Sequence, residues 1–477
     1  MRQVHIEPIA IDRLEKLLAP ERAELLRSTA SQAEKVLGDR VVWNINATAQ
    51  GGGVAEMLQS LLSYAKGAGI DTRWLVLRGT PHFFEVTKRI HNNLHGEPGD
   101  GGPLGRAEHD TYEQVLADNL ADALQSVREG DMVLLHDPQT AGLVRGLKEA
   151  GAHVVWRCHV GSNTSDEHTD AAWAFLRPYL DGVDAFIFSR ERYAPEWVPR
   201  DVLWVIPPSV DPYSAKNENL SDDDVHGILC AAGLATDGGS CPPVRFTRRD
   251  GRTDVVRHHS GVLVDGGAPP PIEAPLVVQV SRWDRLKDMG GVLQGFAEHL
   301  GELPDDVHLM LAGPEVSGVS DDPEGAEVLA ECVRQWRALP DDAKSRVHLA
   351  CLPMDDVDEN AVMVNALQRH AYVVVQKSLV EGFGLTVTEA MWKGRPVVAS
   401  AVGGIEDQIE DGRDGLLIHD PRDLDELAAA LSRVLGDEEL ADRLGTQAKE
   451  RVQNEFLGDR HLVQYVRLFE SLLNRSS

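Results

Sequence analysis

Glu381-Gly-Phe-Gly-Leu-Thr-Val-Thr-Glu389 directly follows the apolar run Tyr372-Val-Val-Val375. The run reads as a strand, the glycines as a turn and the residues after them as the start of a helix. The first backbone N–H groups of a helix have no partner inside it, and the macrodipole favours negative charge there. An anion fits such a place. Glu381 sits at the turn and can face a bound ligand. Glu389 sits more than a turn into the helix and reaches another part of the same ligand. A phosphate cradle flanked by two carboxylates suits a sugar nucleotide, with diphosphate on the amides and hydroxyls on the carboxylates. The plainer alternative is a helix that carries two surface glutamates.

Outward from this stretch, apolar runs alternate with helical ones. Val41–Ile45, Trp74–Leu77, Met132–Leu135, Val154–Trp156, Ala185–Phe188 and Leu203–Ile206 read as strands, with a helix from Gly51 to Lys66. The alternation restarts at Leu276–Val280 and runs through His308–Leu311, Val347–Leu349, Tyr372–Val375 and Pro396–Ala399. Buried strands separated by helices mean parallel sheets covered on both faces. The expected fold is α/β, with two doubly wound, Rossmann-like domains facing a cleft, because open parallel sheets bind ligands at the carboxyl ends of their strands. The first domain is expected over 1–212, including amphipathic helices within 11–37, and the second over 276–455. Residues 213–275, rich in Asp, Gly and Pro, read as an insertion or linker, partly mobile and without chemistry. Leu462, Tyr465, Val466, Phe469 and Leu473 lie at helical spacing in a tail over 456–477, which could cross back to the first domain.

Composition narrows the function. A chain of 477 residues is long for one core, and its 42% hydrophobic and 26% charged content is that of a globular protein. The formal charge of −29 argues against nucleic acid or an anionic membrane as partner. Any phosphate site must therefore be a local basic pocket. The five cysteines have no metal-ligand spacing, and free thiols in a reducing compartment are the simplest reading. The N-terminus lacks an apolar signal segment and no run approaches the ~20 residues that span a bilayer. A cytoplasmic protein is expected.

Three further motifs carry chemistry. Gly51-Gly-Gly53 follows a strand, and glycine lets the backbone approach a ligand closely; Gly52 and Gly53 are candidate donor-binding residues, or the turn is merely tight. The dinucleotide pattern G-x-G-x-x-G is absent. Ser281-Arg-Trp-Asp-Arg-Leu-Lys287-Asp follows another strand. Arg282 and Lys287, with Arg285 as a possible third cation, could stabilise charge building on a departing diphosphate, or be a surface pair. No metal cluster competes, since Asp222-Asp-Asp224 reads as a solvated charge run. His159, after Val154–Trp156, could hydrogen-bond a sugar hydroxyl as a neutral imidazole, or be structural. His136, after the preceding strand, is a weaker candidate.

The Glu381 to Glu389 stretch resembles the Glu-x7-Glu signature of retaining glycosyltransferases of the two-Rossmann-domain (GT-B) type, the glycogen synthase and sucrose synthase-like group. The resemblance implies that Glu381 contacts the transferred sugar, Glu389 the nucleotide ribose, and Arg282 and Lys287 the diphosphate, with the amides of Gly382, Phe383, Gly384 and Leu385 nearby. It also implies a glycine loop and a histidine near the donor. Asn46-Ala-Thr-Ala-Gln-Gly-Gly-Gly-Val-Ala-Glu56, Phe83–Lys88 with His91-Asn92, His136-Asp-Pro-Gln139, Trp156–His159, and Gly313-Pro-Glu-Val with Asp321–Glu324 look closer still to trehalose synthases that join activated glucose to free glucose. That branch covers roughly 40–212 and 276–450 and not the insertion.

The resemblance implies transfer of an α-glucosyl unit from a nucleoside diphosphate glucose to glucose, forming trehalose, with the acceptor on the first domain and the donor on the second. Catalytic roles fall on Glu381, His159, Arg282 and Lys287; Glu85, Lys88, His91 and His136 could touch the acceptor. Neither a cofactor nor a metal is expected, and a homodimer is possible. Other retaining transferases, a nucleotide-sugar 2-epimerase and a non-catalytic sensor remain as alternatives. Replacing Glu381 with Gln is expected to cut turnover strongly; near-normal turnover of that variant would reject its role.

Overall fold

The computed structural model describes residues 1–49, 53–239, 241–249, 251–316 and 324–475. Gly51, Gly52 and Asp321–Pro323, singled out above, lie outside the described residues. Apolar runs place the central strands, because only a strand covered on both faces buries nearly every residue of such a run; the edge strands β1 and β7 are more exposed. In the first unit these are β1 (Arg2–Val4), β2 (Val42–Asn46), β3 (Thr72–Val76), β4 (Met132–His136), β5 (His153–Cys158), β6 (Ala185–Phe188) and β7 (Leu203–Val205). They form a seven-stranded sheet in the order β1-β3-β2-β4-β5-β6-β7. Only the edge strand β1 runs antiparallel, against β3. Trp43, Phe83, Tyr112 and Trp156 fill one face; Leu26, Leu61, Leu134 and Ile187 fill the other.

The second unit has a small antiparallel hairpin, β8 (Arg245–Thr247) with β9 (Thr253–Val255). Its main sheet comprises β10 (Leu276–Val280), β11 (His308–Pro314), β12 (Val347–Leu352), β13 (Val373–Gln376), β14 (Val397–Ser400) and β15 (Leu416–Ile418). The order is β12-β11-β10-β13-β14-β15 and every pair is parallel. The chain divides into two compact units after Ser209 and before Phe456. Each unit has the doubly wound, Rossmann-like α/β architecture expected from the sequence.

The C-terminal helix Gly458–Arg475 belongs to the first unit. Its Leu468, Phe469 and Leu472 join a core with Leu14, Leu26 and Leu37. At its start, buried Asp459 accepts from Arg22 Nε at 3.1 Å and Nη2 at 2.7 Å.

Two expectations are corrected. Residues 213–275 are packed into the second unit and do not form a bare linker. Ser221 caps the helix Asp222–Ala231, Val225, Ile228 and Leu229 are buried, and Asn365 Nδ2 donates to Ala215 O at 3.0 Å and to Glu218 O at 2.9 Å. The apolar pieces here are short and broken by Gly and Pro, so they show no period to read. Asp222-Asp-Asp224 is the first turn of that helix, with Asp222 and Asp223 exposed and Asp224 half-buried, where carboxylates suit the dipole. The cysteines are not all free: Cys230 and Cys241 form a disulfide, while Cys158, Cys332 and Cys351 are thiols. The loop after the helix brings the pair's Cα atoms to 5.6 Å, an approach that spacing alone does not reveal. Among the described residues, no helix is long and apolar enough to cross a membrane.

Asp459→Ala is expected to cost about 1–3 kcal/mol by removing the buried acceptor of Arg22 Nε and Nη2, and to raise proteolytic cutting and amide exchange in the helix Gly458–Arg475 before the rest of the first unit. Unchanged protection there would show that apolar packing alone holds the helix.

Candidate functional site

Each sheet has one place where the strand order reverses. In the second sheet the chain steps outward from β10 to β11 and β12, then returns to β13 on the other side of β10. The loops leaving β10 and β13 therefore diverge and open a crevice at their carboxyl ends. The loop after β10 carries Arg282 and Lys287, and that after β13 carries Glu381.

Lys287 Nζ donates to Glu381 Oε2 at 2.6 Å, and Ser378 Oγ donates to the same oxygen at 3.1 Å. Arg282 is exposed, with Nη2 3.4 Å from Asp284 Oδ2. Glu389 lies in the helix Leu385–Trp392, buried, with Oε1 3.1 Å from Lys216 Nζ. Arg285 turns elsewhere: it donates to Glu331 at 2.7 Å on the helix Gly325–Ala338, which corrects its reading as a third site cation.

The two loops are fixed to each other. Gln279 Nε2 donates to Lys287 O at 2.7 Å, and Leu379 N–H to Leu286 O at 2.8 Å. Buried Lys377 pairs with Asp288, whose other oxygen accepts from Gly291 N–H at 3.1 Å. Thr386 Oγ1 and Ser281 Oγ both donate to Gln376 Oε1, at 2.8 and 3.3 Å. The turn before the helix is held from behind as well. Gly404 N–H donates to Gly382 O at 3.1 Å, and Gln408 Nε2 donates to Phe383 O. Gly384 has φ 84°, and a Cβ there would meet Ile405 Cγ1 at 3.0 Å. Glycine is thus required by conformation and by space. Sequence reasoning missed Lys216, Lys377 and Asp288. Lys216 lay in the supposed linker, and a lysine after a strand gives no sign of where its ammonium goes.

In the first sheet the order reverses between β2 and β4. Gly53 opens the helix Gly53–Gly67 after β2. His136 ends β4, fully buried, and His159 follows β5. The rings stack at 5.4 Å, with His136 Nδ1 3.1 Å from His159 Nε2 and His136 Nε2 3.0 Å from Asn44 Oδ1. With the Asn44 oxygen accepting, His136 carries its proton on Nε2 and receives one from His159 Nε2, which leaves His159 Nδ1 as an acceptor. Burial holds both imidazoles neutral: His136 falls to about 3 and His159 well below its ordinary value, with Arg157 adding to each. The His136 ring is thereby committed to orienting His159. Asp137, at φ 65°, accepts from His159 N–H at 2.8 Å, and burial raises its carboxyl to about 7.

Glu85, Lys88 and His91 lie on the helix Pro81–Leu94. Exposed Glu85 accepts from His82 Nδ1 at 3.1 Å, and His91 packs edge-on to His95 with ring centroids 5.1 Å apart.

Residues 44–195 match the family described as "Trehalose synthase, N-terminal domain", and residues 356–451 match "Glycosyl transferases group 1". The chain is 37% identical over 460 residues to a trehalose synthase of Rubrobacter xylanophilus, covering 95% of each protein. It is 34% identical to a trehalose synthase of Thermococcus litoralis, covering 94% of each. Among solved structures, an α,α-trehalose-phosphate synthase (UDP-forming) from Burkholderia vietnamiensis superposes with a TM-score of 0.63 at 16% identity, covering 92% of this chain and 98% of that one.

Asp137 gives a pH test. Its folded value of about 7 lies above the ordinary 3.8, so stability falls as pH rises through that window. Asp137→Asn keeps an acceptor for His159 N–H and tolerates the positive φ. In urea unfolding, the variant should gain about 1–3 kcal/mol relative to the parent on going from roughly pH 5 to pH 8; a pH-independent difference would refute a neutral buried carboxyl.

Proposed function

The chain belongs to the trehalose synthase family of glycosyltransferases, and from that premise we propose its reaction: it transfers an α-glucosyl unit from a nucleoside diphosphate glucose to the anomeric hydroxyl of free glucose, releasing trehalose and nucleoside diphosphate. The observation that carries this reading is the Lys287–Glu381 contact at the β10–β13 reversal, made from the loop that also carries Arg282. A cation and a carboxylate held together there match the two ends of such a donor: phosphate for the ammonium and guanidinium, glucose hydroxyls for the carboxylate. Glu389, further along the helix, takes the ribose hydroxyls, and the amides from Gly382 to Leu385 face the phosphate.

As the glucosyl bond breaks, negative charge builds on the departing diphosphate. Arg282 and Lys287, already in place, stabilise that charge more in the transition state than in the ground state. They supply charge that a metal supplies elsewhere, so the scheme needs none. Retention follows from a same-face transfer. The glucosyl–oxygen bond to phosphate breaks, the acceptor oxygen bonds to the same carbon, and the acceptor proton passes to the leaving phosphate. Glu381 orients the glucose hydroxyls and forms no bond to carbon. In the first unit, His159 offers Nδ1 to a sugar hydroxyl, its orientation set by His136 and its neutrality by burial.

Incubation with UDP-, ADP- and GDP-glucose, with and without glucose, separates the readings. Nucleotide release that depends on glucose, with trehalose as product, is expected. Release only with fructose, a sugar phosphate or a glucan would move the assignment to another transferase, and donor isomerisation without an acceptor would make it an epimerase. The Arg282→Ala/Lys287→Ala double variant is expected to lose roughly 10³-fold or more in turnover; parental activity would end the case for a diphosphate grip.

A further inference from the structure

A second basic cavity lies at the opposite end of the second sheet. It measures about 230 Å³ and is lined by Leu220, Asp222, Val225, His226, Arg369, His370 and Arg395. His370 ends the helix Val357–His370 just before β13, and Arg395 just precedes β14. The cavity is therefore at the amino ends of these strands, whereas Arg282, Lys287 and Glu381 follow carboxyl ends.

The two arginines are unusual in a chain of net charge −29. Arg369 Nε donates to Asn365 Oδ1 at 3.0 Å, and its Nη2 to Asn217 O at 3.0 Å and Glu218 O at 2.8 Å. Arg395 Nη1 donates to Ala371 O at 3.3 Å, and its buried Nε meets no hydrogen-bond partner among the described residues. These partners are neutral carbonyl or amide oxygens, and no ion pair is formed by either guanidinium among the described residues. Partly buried cations are ordinarily paired, because desolvation without compensation is costly. Burial lowers both arginines; Arg395 and Arg369 repel each other, Arg395 stands near His370, and His226 lies edge-on to His370 with centroids 5.9 Å apart, while Glu218 acts on Arg369 and Asp222 and Asp442 on Arg395 from beyond ion-pair distance. Asp222, exposed on the helix rim, is the one carboxylate in the lining.

We propose that this cavity is a binding site for a small phosphate-bearing anion, held by Arg369, Arg395 and His226 and separate from the donor site. The guanidinium fork is suited to a tetrahedral oxyanion. The volume falls below the ~300–1,000 Å³ of sites for drug-sized ligands, so it takes a phosphate group and little more. One wall is the segment from Leu220 to His226, the part of the chain that sequence alone left as a linker. An anion here fastens that segment to the β13–β14 end of the sheet. Asp222 opposes the ligand, so its removal tightens binding.

Thermal unfolding of the full chain at fixed ionic strength tests this, with 10 mM inorganic phosphate against chloride and glycerol phosphate as a separate arm. A rise of about 2–4 °C is expected with phosphate if the dissociation constant is near 1 mM. The rise should persist in Arg282→Ala/Lys287→Ala, whose donor grip is removed, shrink in Arg395→Gln and His226→Ala, and grow in Asp222→Asn. His226 is exposed, so its variant decides the matter if Arg395→Gln fails to fold. A matching response to glycerol phosphate assigns the site to phosphomonoesters; a response to inorganic phosphate alone assigns it to the free ion. No rise beyond chloride, or a rise lost in the Arg282/Lys287 variant yet unchanged in Arg395→Gln and His226→Ala, would overturn the proposal. Because the two variant pairs respond independently, failure here leaves the donor-site reading standing, and failure there leaves this one.

Discussion

Two neighbouring parallel strands, β10 and β13, send their chains away from each other, and the second unit is arranged around the gap this leaves. A parallel sheet needs a crossover between successive strands, and the order of strands must reverse somewhere when helices cover both faces. At the reversal no loop can close over the strand ends. Backbone and side-chain polar groups there are left facing the gap, and the chain fills it with charge: Arg282, Lys287 and Glu381. The same constraint acts between β2 and β4 in the first unit, where Asn44, His136, Asp137 and His159 gather.

What makes these groups usable is the framework behind them. Lys287 is half-buried and Glu381 buried, and the loops that carry them are tied in place. Gln279 ties one loop to the strand, Lys377 ties the other to Asp288, and Gln408 with Gly404 backs the glycine turn. A buried ammonium such as Lys377 is a poor source of net stability, since desolvation offsets its attraction to Asp288. It is better understood as fixing register: without its partner the charge is stranded, so the two loops share one geometry. In the first unit, His136 plays the corresponding part for His159 through neutral hydrogen bonds.

The second unit also shows how charge is allotted in an acidic protein. Cations near the β10–β13 crevice have carboxylate neighbours, Glu381 for Lys287 and Glu389 for Lys216. Arg369 and Arg395, at the far end of the sheet, lean on carbonyl and amide oxygens. The paired cations are neutralised by direct contact; Arg369 and Arg395 meet carboxylates only at longer range, Glu218 for the first and Asp222 and Asp442 for the second.

Much was legible in the residues alone. Strand positions followed from runs of Val, Leu and Ile, whose burial on both faces is a local property that composition records. Glu381, Glu389, Arg282 and Lys287 stood out because they follow such runs at spacings that match a helix start or a short turn. What depended on the tertiary structure was everything set by partners far apart in sequence. Short apolar pieces between Lys216 and Leu263 had no period, yet they pack into the second unit because Asn365, Arg369 and Glu359 receive them. The Cys230–Cys241 pairing, the turning away of Arg285 to Glu331 and the sequestration of His136 were decided in the same way. Local sequence sets which elements form and where they end; which charges meet depends on three-dimensional closeness, and that arises only when the sheet order and its reversals are in place.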